Sequence, residues 1–132
     1  MKNALAALNK HDVKAAGAFF ADDLAWMESA MPKDQNKKEM LGGMQDMMTA
    51  FPDIKIEPTD IWAAGEYVVH TGSGTGTNTG KSKVIPADKT GKTVTIHYVE
   101  IDHLKDGKID KGWSFYNSAA MMQQLGLMPP PK

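Results

Sequence analysis

Thr71, Ser73, Thr75, Thr77 and Thr79 alternate with Gly72, Gly74, Gly76, Asn78 and Gly80, and this alternation restricts the fold more than any other stretch. Side chains of a strand point alternately to its two faces. One face of a strand over Glu66–Gly80 is therefore hydroxylated, while the other carries Val68, His70 and then little but glycine. A glycine face lets a sheet bend sharply toward that side, or admits close packing. A strongly bent sheet with helices across its concave face encloses a cavity. The expectation is a chain shaped to hold a small, mostly apolar molecule.

The remaining elements fit such a sheet. Ile54–Ala63 precedes the glycine strand through Ala64-Gly65, and Lys92–Leu104 and Lys108–Asn117 flank Lys105-Asp106-Gly107. Asp-Gly between alternating strands is a strong hairpin signal. Helices come first: residues 3–9, then a second from its cap at Asp12 to about Ala21 with Phe19 and Phe20 as anchors. A third starts at Asn36, where Glu39 completes a capping box and Met40, Leu41, Met44, Met47, Met48 and Phe51 recur on one face. Pro52-Asp53 stops it. Gly42-Gly43 weakens it by about 1 kcal/mol per residue relative to alanine, which suggests close approach by another element. Leu24–Glu28 reads as a short strand and Ser118–Leu125 as a last helix ended by Gly126. Pro129-Pro130-Pro131-Lys132 reads as a tail within residues 128–132. The class is α+β in one domain, residues 1–132: three N-terminal helices packed on a strongly curved antiparallel sheet, with a short C-terminal helix.

Composition excludes several functions. A formal net charge of -1 lacks the clustered positive charge that nucleic acid or an anionic membrane surface calls for. The absence of cysteine removes disulfides, thiolate nucleophiles and cysteine-ligated zinc. No apolar run approaches the ~20 residues of a membrane-spanning helix, and Ala4–Leu8 runs straight into Asn9-Lys10-His11-Asp12, unlike a signal peptide. A cytoplasmic location is expected. A secreted or periplasmic mature form stays open, because the first helix begins without a cap, as it would after trimming. Gly74–Ser82 looks superficially like a phosphate-binding loop, but Thr75 stands where that motif needs glycine and Val84-Ile85-Pro86 follows where a helix should. His11, His70, His97 and His103 form no compact ligand spacing, so no metal and no organic cofactor are expected.

Glu100 is the leading single candidate. It shares strand parity with Val94, Ile96 and Tyr98, and a carboxylate on an apolar face is raised in pKa by desolvation, toward acid/base use near neutrality. The opposing reading is that the face is open to solvent or an interface at Glu100 and Asp102. Glu28 on the first strand has the same two readings. The methionine face of the third helix is core packing, or the adaptable wall of a pocket, or both if the core is hollow.

Asp106-Gly107-Lys108-Ile109, then Trp113, then Gln124-Leu125-Gly126 resembles the C-terminal signature of SnoaL-like polyketide cyclases and related ester cyclases. Asn9-x-His11-Asp12, Ala21-Asp22-Asp23, Phe51-Pro52-Asp53 and Thr90-Gly91-Lys92 extend the likeness in order over nearly the whole chain. The resemblance implies the cone-shaped α+β barrel shared with nuclear transport factor 2 and ketosteroid isomerase, a pocket, and a homodimer. It transfers less of the chemistry. The aspartate such cyclases use as general acid/base, eight residues after Asp106, is Ser114 here. Their histidine and glutamine, six and eight residues before Asp106, are Glu100 and Tyr98. An aspartate that many relatives carry after the tryptophan is Asn117, and a histidine of a Gly-Thr-His segment is Asn78. Glu28 falls where ketosteroid isomerases place their catalytic aspartate.

Three functional readings follow. In the first, Glu28 or Glu100 moves a proton beside a carbonyl while Tyr98 or Ser114 steadies the oxyanion, in a cofactor-independent isomerase or cyclase. Trp26, Met44, Met48, Ile96 and Asn78 would contact the substrate. In the second, the pocket only binds an apolar ligand. In the third, Trp113, Phe115 and Asn117, opposite Ser114, form a protein interface or pack beneath the C-terminal segment.

Overall fold

The structure, a computed structural model, describes residues 2–130, so the last two residues of the expected tail lie outside it. Helices α1 (Lys2–Asn9) and α2 (Val13–Gly17) lead into strand β1 (Phe20–Glu28), and helix α3 (Lys37–Ala50) follows. Strands β2 (Lys55–Ala64), β3 (Tyr67–Thr77), β4 (Thr93–Lys105) and β5 (Lys108–Tyr116) then form a meander, closed by helix α4 (Ser118–Gln124). The spatial order is β1-β5-β4-β3-β2. Three pairs are antiparallel, but β1 runs parallel to β5. The sheet is thus mixed, and it stays open between its edges β1 and β2 rather than closing into a barrel.

Local chemistry explains most boundaries. Asp12 caps α2 through the Ala15 N–H, and Asn36 and Glu39 form the expected capping box on α3. Gly65, Asp106 and Gly107 adopt positive φ in the two hairpin turns, and Gly126 does so after α4. Helix α2 is shorter than its sequence suggests. It stops at Gly17, and Phe20 is buried in β1, because its backbone finds a partner in Ile109 and its ring packs with Leu24, Trp26 and Met40. Asp22 and Asp23, which look like a break, are exposed strand residues where the β1–β5 register shifts.

The glycine face of β3 is the concave one. Gly72, Gly74 and Gly76 are buried while Thr75 is exposed. A Cβ on Gly72 would sit 2.2 Å from the Glu57 carbonyl oxygen, beside the point where β2 shifts register between Pro58 and Asp60. A Cβ on Gly76 would press on Phe51 at 3.0 Å. Bend and close packing are therefore both realised along one strand. On β5, Gly112 makes room for the Trp26 ring, which comes within 2.1 Å of where a Cβ would stand.

The core is split in two. Phe51, Val94, Ala87, Met121 and Leu125 form one buried cluster; Phe20, Leu24, Trp26, Met40 and Ile109 form the other. No helix among the described residues is long and apolar enough to cross a membrane.

Asn78, just past β3, ties the segment before β4 to the end of α3. It is fully buried; its amide donates to the Ala50 and Gly80 carbonyls and its oxygen accepts from the Thr90 N–H. Replacing it with alanine removes three hydrogen bonds: the Ala50 and Gly80 carbonyls keep the Gly80 and Lys89 N–H groups, and the Thr90 N–H is left without its partner, at about 1–3 kcal/mol. Asn78→Ala is expected to lose at least about 2 kcal/mol in urea unfolding, with unchanged far-ultraviolet dichroism at low temperature.

Candidate functional site

A single row of side chains crosses the concave face. His70 on β3 pairs with Glu100 on β4, Glu100 with Ser114 on β5, and Ser114 with Glu28 on β1. The next row toward the glycine floor holds Gly72, Tyr98 and Tyr116. Strand pairing alone thus sets two carboxylates, an imidazole and two phenols side by side.

Two hydrogen-bonded groups divide the row. His70 Nε2 lies 2.6 Å from Glu100 Oε2 and 3.3 Å from Asp102 Oδ2, and its Nδ1 lies 3.1 Å from Tyr98 Oη. Two strands away, Tyr116 Oη donates to Glu28 Oε1 at 2.6 Å. Asp102 is fully buried, and neither of its carboxylate oxygens has a hydrogen-bond partner of good geometry. It is therefore not on a solvent-open face.

The electrostatics follow from this crowding. Burial raises the Glu100 carboxyl from 4.5 to about 7; the His70 hydrogen bond opposes the rise and the Asp102 charge adds to it. Burial works against a charge on His70, but the Asp102 carboxylate close to it and the hydrogen bond to Glu100 outweigh that and lift the imidazole from 6.5 to about 9. Burial, then the charges of Glu100 and Asp102, push Tyr98 up to about 12. Burial and the bond to Glu28 hold Tyr116 well above its usual 10. Both phenols therefore stay protonated at neutral pH and can act as donors.

These groups face a cavity of about 620 Å³ lying among both apolar clusters. Its wall includes Glu28, Tyr98, Glu100 and Ser114, and also Trp26, Met44, Met48 and Ile96. Asn78 is not among them. Its amide is consumed by backbone groups, so the ligand contact expected of it is corrected to a structural role. Gly42 and Gly43 also differ from expectation. A Cβ on either would meet nothing within 4 Å, and both line the cavity. They leave space in the roof instead of admitting a neighbouring element.

Three residues of the site escaped the sequence reading. His70 was visible only as a residue on the glycine face, Asp102 only as a neighbour of Glu100, and Tyr116 shares Ser114's parity without any motif. The expectation of no metal rested on local spacing, whereas the fold brings donor atoms of His70, Glu100 and Asp102 within 4.8 Å of one another. One imidazole and two carboxylates make a donor set that a divalent cation accepts.

The profile of the SnoaL-like polyketide cyclases matches residues 1–125. The chain belongs to this family. Solved structures agree in fold. AclR of Streptomyces galilaeus, described as a candidate hydroxylase, superposes with a TM-score of 0.86 at 26% identity, covering 99% of this chain and 85% of that one. IdmH of Streptomyces antibioticus, a candidate polyketide cyclase, gives 0.78 at 21% identity over 95% and 94%. A SnoaL-like protein of Jannaschia gives 0.79 at 16% identity over 96% and 91%. No curated protein sequence matches the chain.

Within this SnoaL-like chain, Ser114 stands at the centre of the row with a carboxylate on each side. Those carboxylates belong to the neighbouring strands, Glu28 to β1 and Glu100 to β4.

The titrations carry a sign. Glu100 holds its proton more tightly folded than unfolded, so it lowers stability progressively as pH rises from about 4.5 to 7. His70 contributes stability that is complete below 6.5 and is lost as pH rises through about 9. Unfolding free energy is expected to fall across both windows. In Glu100→Gln the fall below pH 6.5 should shrink while the fall toward pH 9 persists, a contrast that urea titrations at pH 5, 6.5 and 9 would read directly.

Proposed function

We propose that this SnoaL-like protein is a cofactor-independent acid/base catalyst acting on a small, apolar, carbonyl-containing molecule. The observation that carries the reading is the placement of Tyr98 and Glu100 two residues apart on one strand face, at the wall of a mostly apolar cavity. A carboxyl near pKa 7 exchanges protons efficiently at neutral pH. A phenol that stays protonated donates to developing negative charge in a site shielded from water.

In the proposed step, Glu100 removes a proton from the carbon next to the carbonyl. The C–H electron pair moves into the enolate, whose oxygen accepts a hydrogen bond from Tyr98. The proton then returns to a different carbon, which is an isomerisation. Alternatively the enolate carbon bonds to a second carbonyl carbon, whose oxygen takes the proton, and a ring closes. Glu28, held by Tyr116, serves as a second acid/base group on the far side of Ser114.

A binding-only role has its own support, since the aspartate used by cyclases of this family is Ser114 here. One experiment separates the two. With 1-tetralone as probe in D2O, proton magnetic resonance should show exchange of the protons next to the carbonyl faster than in buffer. Glu100→Gln should slow this by at least about 100-fold and Tyr98→Phe by about 100-fold. Thermal stabilisation by the probe without any exchange would leave the binding role and remove the catalytic one.

We further propose that a second copy of the chain covers the convex face. Trp62, Tyr67, Val99 and Phe115 are exposed, and Val99 and Phe115 are partners in adjacent strands. Apolar area of this kind is unusual on a face left to water. Light scattering should give twice 14.4 kDa, and Val99→Asp with Phe115→Asp should give the single mass; a wild type that stays at the single mass at high concentration removes the dimer.

A further inference from the structure

We infer that His70, Glu100 and Asp102 form a binding site for one first-row divalent cation at the edge of the cavity. The inference goes beyond the proposed reaction and sets a limit on it. With the cation held, Glu100 is a ligand and is not free to take a proton, so cation binding arrests the site.

Asp102 carries the argument. Its carboxylate is fully buried, and among the described residues neither of its oxygens has a hydrogen-bond partner. A buried polar group in that condition is costly and calls for a specific explanation. Its neighbours across the sheet offer none, since Val68 is apolar and Gly112 has no side chain. One oxygen, Oδ2, instead lies 3.3 Å from His70 Nε2. That nitrogen has a single N–H to give, and Glu100 Oε2 at 2.6 Å is the closer acceptor. One proton serves one acceptor well, whereas a cation takes lone pairs from the nitrogen and both carboxylates together.

The geometry suits an ion. The three donor atoms lie within 4.8 Å of one another. Ligands about 2.0–2.1 Å from a tetrahedral cation stand roughly 3.3 Å apart, which is the separation already present between His70 and Asp102. Glu100 has to retreat by about 0.7 Å to reach the same spacing, and its partly exposed side chain borders open volume. His70 and Glu100 are direct partners on adjacent strands, and Asp102 is two residues along the same face, so rigid elements hold all three. The second ring nitrogen of His70 has Tyr98 Oη at 3.1 Å, the kind of outer contact that orients metal-ligating histidines. Because His70 and Glu100 line the cavity, further coordination positions face it and are open to water or to an oxygen of a bound molecule. Imidazole among the donors favours zinc or cobalt over magnesium and calcium. His103 offers an internal contrast. It also touches two carboxylates, but Asp110 meets Nδ1 and Glu66 meets Nε2, so no single ion reaches all three.

Calorimetric titration of the metal-free protein with Zn2+ at pH 7.5, with Co2+ followed in parallel by visible absorption, tests the site without any substrate. One equivalent is expected to bind, and excess Mg2+ should not displace it. Glu100→Gln and Asp102→Asn should each weaken binding by more than the about 10–100-fold that loss of an outer-shell partner costs, while His103→Gln leaves it unchanged. Exchange of 1-tetralone protons should fall in step with the fraction of protein holding Zn2+. A wild type that binds no Zn2+, or that binds it no more tightly than Glu100→Gln and Asp102→Asn do, overturns the inference. If Asp102→Asn does not fold, Glu100→Gln alone decides in the same way. Exchange that continues undiminished with the site filled overturns the arrest. A metal-free protein with no exchange at all removes the proposed reaction, and the calorimetry still decides the cation site.

Discussion

Along one face of β3 the side chains are missing at Gly72, Gly74 and Gly76, and nearly everything else in the molecule follows from that gap. The bare strip lets the sheet fold inward until the β2 backbone and Phe51 occupy the space where Cβ atoms would stand. It also leaves volume above Gly74, where a Cβ would find only the tips of Ile96 and Ile56 near 4 Å. A sheet with ordinary residues at these positions would be flatter, and its concave side would be filled by its own side chains. The helices would then seal one continuous core in place of two clusters with a cavity between them.

Chemistry begins where the glycines end. His70 is the next inward-facing residue of β3 after Gly72, and it brings the polar row of the sheet into line with the cavity. Burying an imidazole, two carboxylates and two phenols costs desolvation free energy, and such groups persist only when they satisfy one another. Here they do so in two sets, one around His70 and one joining Glu28 to Tyr116. Ser114, small and uncharged, separates them. A third charge at that position would face a carboxylate on either side, so the loss of the family's aspartate and the presence of Glu28 and Glu100 read as one electrostatic arrangement.

Much of this was legible in the chain because strand parity is a local property. Alternation by itself put Val94, Ile96, Tyr98 and Glu100 on one face, and the capping box placed α3 correctly. Parity also put His70 with the glycines, but it carried no information on which strand would lie beside it. The pairing of His70 with Glu100 spans 30 residues and that of Glu28 with Tyr116 spans 88, distances over which no spacing rule operates. Asp102 was open to misreading for a related reason. A carboxylate near the end of a strand is usually solvated, but this one is fully buried between Val68 and Gly112 on the neighbouring strands. Asn78 erred in the opposite sense, since its place in the family pattern suggested a ligand contact while three backbone groups claim its amide.

The sequence by itself determined the class of the fold, the direction in which the sheet bends and the side of it that carries Tyr98 and Glu100. Those follow from interactions between residues a few positions apart: glycine alternation, turn residues and helix caps. Only the tertiary structure decided that β1 joins the sheet parallel to β5, which brings Glu28 into the row. It alone decided that one imidazole bridges two acids, and that Gly42 and Gly43 open onto empty space. Each of these depends on which elements become neighbours, and that is settled by the burial of the whole chain's apolar surface, not by any segment of it.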